Sequence, residues 1–318
     1  MFYERPVGWV DTPNGATIGI RRPNSLLVHG KEGYGIVKID ENGYTNSSSV
    51  LGNDYTLMLG SSNTQGKEIP SDKKYSEIVN AYLSGNSGKR MVYNIACDAN
   101  YLCDIIRHFR STLAVFPDAK CITIEIGNTD FSAGEIEEAT QQTELADMRS
   151  GKELFAALGK FEKLKILIKE FFPFLSTVKN HLETLRAEQG SSGGSTDSID
   201  NTADEPAYGE AIEKALSLMR SEYSGNILFI YHPSVTILEN GSMELEYSET
   251  IDLFKNACKK AGIDFCDMGA RFLEAYKAEQ KVPNGFQNTT FGKGHLNSTG
   301  HRLIAEAVID YLERVYTK

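Results

Sequence analysis

The sequence predicts a three-layer α/β/α protein with a doubly wound, five-stranded parallel sheet. Five apolar runs, each of a length that suits a strand buried on both faces, alternate with segments of helical periodicity. The runs are YTLMLG (55–60), MVYNIA (91–96), CITIEIG (121–127), NILFIYH (226–232) and IDFCDM (263–268). Strands separated by helices pair in parallel, and ligands bind at the carboxyl ends of such strands. We therefore expect functional residues directly after each run.

The composition restricts the class of partner. The 318 residues carry a net charge of -10, and no run of Lys or Arg is longer than two, so nucleic acid is not an expected partner. No stretch approaches 18 apolar residues, so no membrane span is expected within this chain. The five cysteines lack the spacing of metal ligands, and neither a metal nor a cofactor is expected. Small or neutral substrates fit this composition better.

Two regions flank or interrupt the alternating pattern. Residues 1–50 hold Asn-Gly turns between short apolar stretches, which predicts a β-rich meander ahead of a main domain at 51–318. Within the main domain, 135–188 has helical periodicity and 189–206 is rich in Gly, Ser and Asp. These two segments predict a helical insertion and a flexible loop. Together they form either a lid over the site or, as we prefer, a tolerated surface insertion.

The beginning of the chain, MFYERPVGWVDTP, lacks the basic segment and apolar stretch of a signal peptide. The default expectation is a cytoplasmic protein. A cell-envelope or secreted protein whose first residues have been trimmed is the alternative.

The first run leads into GSSNTQG at residues 60–66, a turn of small residues before a helical segment. Such a turn places a hydroxyl at the edge of the sheet, near backbone N–H groups that stabilise a developing negative charge. A phosphate-binding loop is the competing interpretation, but its glycine spacing and its Ser or Thr after the lysine are both missing. A structural turn that merely favours Ser and Gly is the other alternative.

A second motif, GKGHLNSTGH, precedes the last helical segment at residues 292–301. Together the two motifs resemble the Gly-Asp-Ser-x-Thr-x-Gly and Asp-x-x-His-x-Asn-x-x-Gly-His blocks of the SGNH/GDSL hydrolases. The resemblance implies a flavodoxin-like sheet, Ser62 as the nucleophile and His295 as its general base. His301, inside the start of the helix, is expected to have a capping or packing role.

The two middle blocks of that family occur in altered form. The second block is NIACDA at 94–99, with Ala99 at the place of a glycine, and the third is GNTD at 127–130. The resemblance implies an oxyanion hole formed by the N–H groups of Ser62 and Ala99 with the side chain of Thr129. A small shift of the loop would present Asn128 instead.

The acid of the family is missing, because Gly292 stands where an Asp would precede the histidine. Asp267, at the end of the fifth run, is a candidate replacement, although an Asp that starts a helix is the simpler interpretation. A Ser-His dyad oriented by a backbone carbonyl is the other possibility. His232 ends the fourth run and is either adjacent to the site or, as we favour, a hydrogen-bonded structural histidine.

The resemblance implies a serine-dependent esterase that acts through an acyl-enzyme on O-acetylated carbohydrate or small acyl esters. An O-acyltransferase to a glycan is one alternative. A catalytically degraded domain that binds glycans is another, because three positions of the family pattern have changed. The segment KIDENGY at 38–44 also resembles the lead-in of SGNH proteins that act on cell-surface glycans.

Overall fold

The computed structural model describes residues 8–11, 17–20, 23–30, 32–48, 54–86, 91–141, 158–161, 163–164 and 205–316. The strands are β1 (Gly8–Asp11), β2 (Thr17–Ile20), β3 (Leu26–His29), β4 (Gly35–Lys38), β5 (Tyr55–Leu59), β6 (Met91–Asn94), β7 (Ala119–Ile126), β8 (Asn226–Tyr231), β9 (Ser234–Ile237), β10 (Met243–Glu246) and β11 (Asp264–Asp267). The helices are α1 (Ser62–Gln65), α2 (Tyr75–Asn86), α3 (Leu102–Val115), α4 (Ala133–Gln141), α5 (Glu205–Glu222), α6 (Ile251–Ala261), α7 (Gly269–Glu279) and α8 (Ser298–Tyr316), with a 3-10 turn at Ser71–Lys73. Across these ranges, no helix is both long enough and apolar enough to span a bilayer.

Five strands form the central sheet in the order β11-β8-β7-β5-β6, and each neighbouring pair is parallel. The sheet confirms the predicted fold class, and each of the five apolar runs contains or overlaps one of its strands. Every residue of β5 is buried, as expected for a central strand that packs against helices on both faces. The carboxyl ends of β5, β7 and β8 therefore meet at one edge of the sheet.

Two hydrophobic clusters lie on opposite faces of the sheet. One contains apolar side chains of α3, α4, α5 and α6, and the other contains those of α2, α7 and α8. Within the first cluster Phe229 of β8 meets Phe254 of α6 edge to face, with ring centroids 5.0 Å apart. The helix α6 then ends at Gly262, whose left-handed conformation (φ 67°) lets the chain turn into β11.

The N-terminal segment docks on the sheet through buried polar contacts. Hairpin β3–β4 is followed by Asp40, whose carboxylate accepts a hydrogen bond from the Tyr93 hydroxyl (2.6 Å) and from Asn46 Nδ2 (3.0 Å). Asn46 also exchanges hydrogen bonds with the backbone of Asn94 at the end of β6, both 2.9 Å long. Because these groups are buried and mutually satisfied, they fix the hairpin relative to the sheet.

The predicted insertion and loop lie largely outside the described residues. The helix α4 accounts for the beginning of 135–188, and residues 158–164 are described in part. Residues 205 and 206 belong to α5 and not to a loop, while 189–204 fall outside the description. The antiparallel pair β9–β10, which follows β8, is a hairpin that the periodicity did not predict.

Candidate active site

Ser62 is the first residue of α1, a four-residue helix that follows β5 directly. Gly60 makes this turn possible, since its φ is +154° and a Cβ atom there would lie 2.2 Å from the Thr64 hydroxyl oxygen. Ser61 caps the helix by accepting a hydrogen bond from the Asn63 N–H (3.4 Å). The N–H of Ser62 lies in the first turn, where the helix itself offers no acceptor.

His295 meets Ser62 at the edge of the sheet. The distance from His295 Nε2 to Ser62 Oγ is 2.8 Å. The loop between α7 and α8 carries the histidine, and the Leu296 N–H fastens it to the nucleophile turn by donating to Asn63 Oδ1 (2.9 Å). On the other side, the Gly285 N–H donates to the His295 carbonyl (2.9 Å). The chain thus holds both reactive groups through backbone contacts as well as their own hydrogen bond.

The partner of the second imidazole nitrogen is Glu32, in the turn between β3 and β4. Glu32 Oε2 lies 2.7 Å from His295 Nδ1, and Glu32 Oε1 accepts a 2.6 Å hydrogen bond from the His295 backbone N–H. A carboxylate at Nδ1 requires that nitrogen to carry the proton. Nε2 is then the acceptor that faces the Ser62 hydroxyl, as a general base requires.

The glycines before His295 leave space for this carboxylate. A Cβ atom on Gly294 would lie 2.0 Å from Glu32 Oε1, and the residue has φ +104°. Gly292, at the family's Asp position, has φ +77°, a conformation that side-chain-bearing residues adopt rarely. The carboxylate at His295 Nδ1 therefore comes from Glu32, 263 positions away in the chain, and not from the position three residues before the histidine.

Asp267 does not reach His295, so the expectation that it could replace the acid is wrong. Its carboxylate accepts from the Gly269 N–H at the start of α7 (2.9 Å) and pairs with Lys255 (3.2 Å). Asp267 is the last residue of β11, an edge strand three strand positions from β5, which at about 4.8 Å per strand amounts to roughly 14 Å. Asp267 therefore has the role that the simpler interpretation gave it, that of an Asp at the start of a helix.

Ala99 lies in the turn after β6, at the place of the family's glycine. Its φ of 55° is left-handed, which costs an alanine about 1–2 kcal/mol relative to ordinary conformations. Lys67 holds this turn against the nucleophile loop through a 2.5 Å contact with Asp98. Ala99 therefore has a backbone conformation that a glycine adopts more readily.

Thr129 is not positioned as an oxyanion donor, which corrects one of the two expectations for the third block. Its side chain is fully buried and forms a 2.9 Å hydrogen bond with the Thr250 hydroxyl, and its N–H donates to Ser248 (3.0 Å). Asn128 is exposed instead, with its Oδ1 held by the Asp130 N–H and the Ser248 hydroxyl. Because Oδ1 is engaged, the amide NH₂ is the group that Asn128 can offer to a substrate.

A small cavity of about 100 Å³ lies beside the nucleophile turn. Residues from all three loops line it, among them Ser61, Asn63, Asn100 and Asn128. The cavity thus lies among the residues that flank Ser62, the residues that follow Ala99 and the Asn128 loop.

Glu125 and His232 form a buried pair beneath the nucleophile turn. Glu125 Oε1 lies 2.7 Å from His232 Nε2, while Oε2 accepts from the Ser61 N–H (3.1 Å) and the Thr64 hydroxyl (2.8 Å). Burial opposes ionisation of Glu125, but the hydrogen bonds and charge of His232 and the donors of the turn outweigh it and lower its pKa. His232 is thus a hydrogen-bonded histidine that positions the nucleophile turn through Glu125.

Glu68 is a second carboxyl group close to His295. Its Oε1 lies 3.8 Å from His295 Nε2 and 3.9 Å from Lys67 Nζ, and it has no hydrogen-bond partner within the described part of the chain. Burial raises the pKa of Glu68, against the opposing charges of His295 and Lys67. Glu68 is thus a buried carboxyl group beside the imidazole of His295.

His301 has the packing role that we expected for it. Its ring stacks on Tyr75 with centroids 5.7 Å apart, and its Nδ1 accepts a hydrogen bond from the Tyr75 N–H (3.2 Å). Burial, assisted by the charge of Lys74, lowers the pKa of His301 to about 3.

Three glutamates of the site were missed from the sequence. Glu125 had a detectable signal, because it is the one charged residue of the run CITIEIG. Glu32 and Glu68 lie in polar segments where a glutamate is unremarkable, and only the fold brings them to His295.

Comparisons with known proteins give similar folds at low identity. No model of a known protein family matches the sequence, and a search of curated proteins finds no relative. The acetyl xylan esterase AlAXEase is similar with a TM-score of 0.46 and 11% identity, over 81% of this chain and 99% of that one. A lipolytic protein of the G-D-S-L family from Veillonella parvula DSM 2008 is similar with a TM-score of 0.41 and 13% identity, over 82% of this chain and 99% of that one.

A two-domain esterase (CEX) active on acetylated mannans is similar with a TM-score of 0.44 and 12% identity, over 84% of this chain and 51% of that one. Esterases of the GDSL kind are what the nucleophile and histidine motifs indicated. At these identities, no residue role is transferred from the similar proteins to this chain.

The low pKa of His301 predicts a specific pH dependence of stability. In the unfolded chain the histidine takes up a proton below about pH 6.5, whereas the folded protein resists protonation until about pH 3. The free energy of unfolding should therefore fall as the pH falls through this window, and the contribution of this group approaches about 1.4 kcal/mol per pH unit only well below pH 6.5. In His301→Asn, urea titrations at pH 7, 6 and 5 should show a smaller fall, by roughly 0.7 kcal/mol from pH 7 to 6 and by roughly 1.2 kcal/mol from pH 6 to 5. An unchanged slope would contradict the assignment.

Proposed function

We propose that this protein is a serine-dependent ester hydrolase that acts through an acyl-enzyme. The observation that carries the proposal is the continuous contact from Glu32 to His295 to Ser62, at 2.7 and 2.8 Å. A carboxylate, an imidazole and a hydroxyl in this order supply an oriented base and a nucleophile.

The first half of the reaction follows from this contact. His295 Nε2 takes the hydroxyl proton while Ser62 Oγ forms a bond to the carbonyl carbon of the ester. Glu32 stabilises the imidazolium that results. When the tetrahedral intermediate collapses, the bond to the alcohol oxygen breaks and His295 returns the proton to that oxygen. The products are a free alcohol and Ser62 carrying the acyl group.

The negative charge of the intermediate needs hydrogen-bond donors. The N–H groups of Ser62 and Ala99 and the amide of Asn128 are the proposed set, since the Thr129 side chain is fully buried and accepts a hydrogen bond from the Thr250 hydroxyl. In the second half of the reaction, His295 takes a proton from a water molecule as the water oxygen attacks the acyl carbon. The bond to Ser62 Oγ then breaks, His295 returns the proton to Oγ, and the carboxylic acid leaves. A sugar hydroxyl in place of water would make the same residues an O-acyltransferase.

The cavity beside Ser62 supports a small acyl group. Its volume of about 100 Å³ is well below the roughly 300–1,000 Å³ of sites for drug-sized ligands. An acetyl group suits it better than a fatty-acyl chain does. An O-acetylated carbohydrate is the substrate class that we propose.

A glycan-binding domain without activity is the second candidate. The left-handed Ala99 and the buried Thr129 favour it, because both depart from the family's oxyanion hole. The contact of Glu32 with His295 argues against an inactive domain, since a protein without catalytic activity does not need a carboxylate to orient the histidine.

Labelling by a fluorophosphonate probe tests whether Ser62 is activated. The wild type should label covalently and should release p-nitrophenol from p-nitrophenyl acetate, and Ser62→Ala should do neither. Ser221→Ala, near the exposed end of α5, controls for the loss of a serine hydroxyl outside the site and should still label. If the wild type does not label, or if Ser62→Ala hydrolyses at the same rate, the proposal fails.

Glu32→Gln should lower kcat by roughly 10³–10⁴, because a neutral amide no longer stabilises the imidazolium or selects its tautomer. KM should change little, since Glu32 faces the histidine. Glu239→Gln, in the exposed turn between β9 and β10, is the matched control and should leave kcat unchanged. Equal kcat in wild type and Glu32→Gln would remove Glu32 from the mechanism.

The size of the cavity predicts a preference for short acyl chains. Between p-nitrophenyl acetate and p-nitrophenyl octanoate, kcat/KM should fall at least about tenfold. Tyr101 lines the cavity and is 55% exposed, so Tyr101→Ala should widen it and reduce this preference without lowering the rate on acetate. A wild type that prefers octanoate would contradict the assignment of the cavity while leaving the serine mechanism intact.

A further inference from the structure

A second, larger cleft of about 710 Å³ lies between the β3–β4 turn and the loop before α8. Neither Ser62 nor His295 lines it, but it adjoins the triad at two points. Gly33, which follows Glu32, and Gly292, three residues before His295, are both part of its wall. A ligand in this cleft would therefore lie next to the groups that hold the histidine.

Flat aromatic rings form the apolar part of the lining. Tyr34 is 51% exposed and Phe291 is 65% exposed, and Phe286 lines the same cleft. Exposed aromatic side chains collected in one concave region are unlike the scattered apolar residues of an ordinary surface. They offer flat faces against which the C–H groups of a sugar ring can pack.

Amide side chains form the polar part of the lining. Gln280, Gln287 and Asn288 all line the cleft. An amide donates and accepts hydrogen bonds at once, which matches a hydroxyl group, itself both donor and acceptor. Fatty-acyl chains would leave such groups without partners, at a cost in binding free energy.

Asn284 adds an independent observation. It lines the cleft, is 8% exposed, and its Oδ1 has no hydrogen-bond partner among the residues that the structure describes. Its Nδ2 donates to the Gly294 carbonyl (3.2 Å), which orients the amide. A buried acceptor of this kind in a cleft wall suits a ligand that brings its own donor.

The charge of the lining excludes anionic ligands. Lys281 is the cation of the lining, and its ammonium group is 3.0 Å from a Glu279 carboxylate oxygen. Phosphate or uronate groups would need cations that are not already paired. The ligand is therefore expected to be neutral.

We infer that this cleft binds a neutral polysaccharide chain, with sugar rings packed on Phe291 and Tyr34 and hydroxyls bonded to the amides. This inference rests on the proposed function, because the bound saccharide chain would present an acetylated sugar to Ser62. Binding itself requires no catalysis and can be measured separately.

Binding is best measured with Ser62→Ala, which holds substrate without turnover. The probes are acetylated glucomannan and acetylated xylan oligosaccharides, with alginate as the anionic comparison, in isothermal titration. The double variant Ser62→Ala/Phe291→Ala should bind saccharide about five- to tenfold more weakly than Ser62→Ala. Phe161→Ala is the matched control, because Phe161 is 68% exposed and lies outside the cleft lining. Unfolding midpoints identify any variant that fails to fold, and Phe291→Tyr should retain binding.

In the active protein, Phe291→Ala should raise KM for acetylated glucomannan and leave the kinetics on p-nitrophenyl acetate unchanged. The inference is overturned if folded Ser62→Ala binds neither neutral saccharide, if alginate binds more tightly, or if the two Phe→Ala variants behave alike. Failure of the proposed function has a different signature, because saccharide binding would then persist in a protein whose Ser62 does not react with the fluorophosphonate.

Discussion

The contact between Glu32 and His295 is the interaction on which the proposed chemistry depends. Both carboxylate oxygens are used, one on the imidazole Nδ1 and one on the backbone N–H of the same residue. A side chain held only through its ring could rotate about its own bonds, whereas this arrangement fixes the ring and the main chain together. The same contact settles which nitrogen faces Ser62, and it makes a separate N-terminal hairpin part of the site.

A hairpin can supply a catalytic group only if it does not move relative to the sheet. Here the buried network of Asp40, Asn46, Tyr93 and Asn94 performs that function. Each polar group in it has a partner, so the network stabilises one position of the hairpin instead of several. The nucleophile side is fixed in a comparable way, because Glu125 binds the turn around Ser62 from below.

The three glutamates of the site differ in their surroundings. Although burial opposes it, the hydrogen bonds and charge of His232 and the donors of the nucleophile turn lower the pKa of Glu125. Glu32 is hydrogen-bonded to His295. Burial raises the pKa of Glu68, whose Oε1 has no hydrogen-bond partner among the described residues, while the charges of His295 and Lys67 oppose this rise.

Local sequence alone determined the five strands of the central parallel sheet, because strand periodicity is a property of neighbouring residues. The segments of Ser62, Ala99, Asn128 and His295 were located by the resemblance of short motifs. Only the tertiary structure showed that the Thr129 side chain is buried and that Asn128 is exposed. Only the tertiary structure identified Glu32, since its proximity to His295 arises from hairpin docking across 263 positions of chain and leaves no local pattern. The rejection of Asp267 has the same cause, because its distance follows from the order of strands in the sheet.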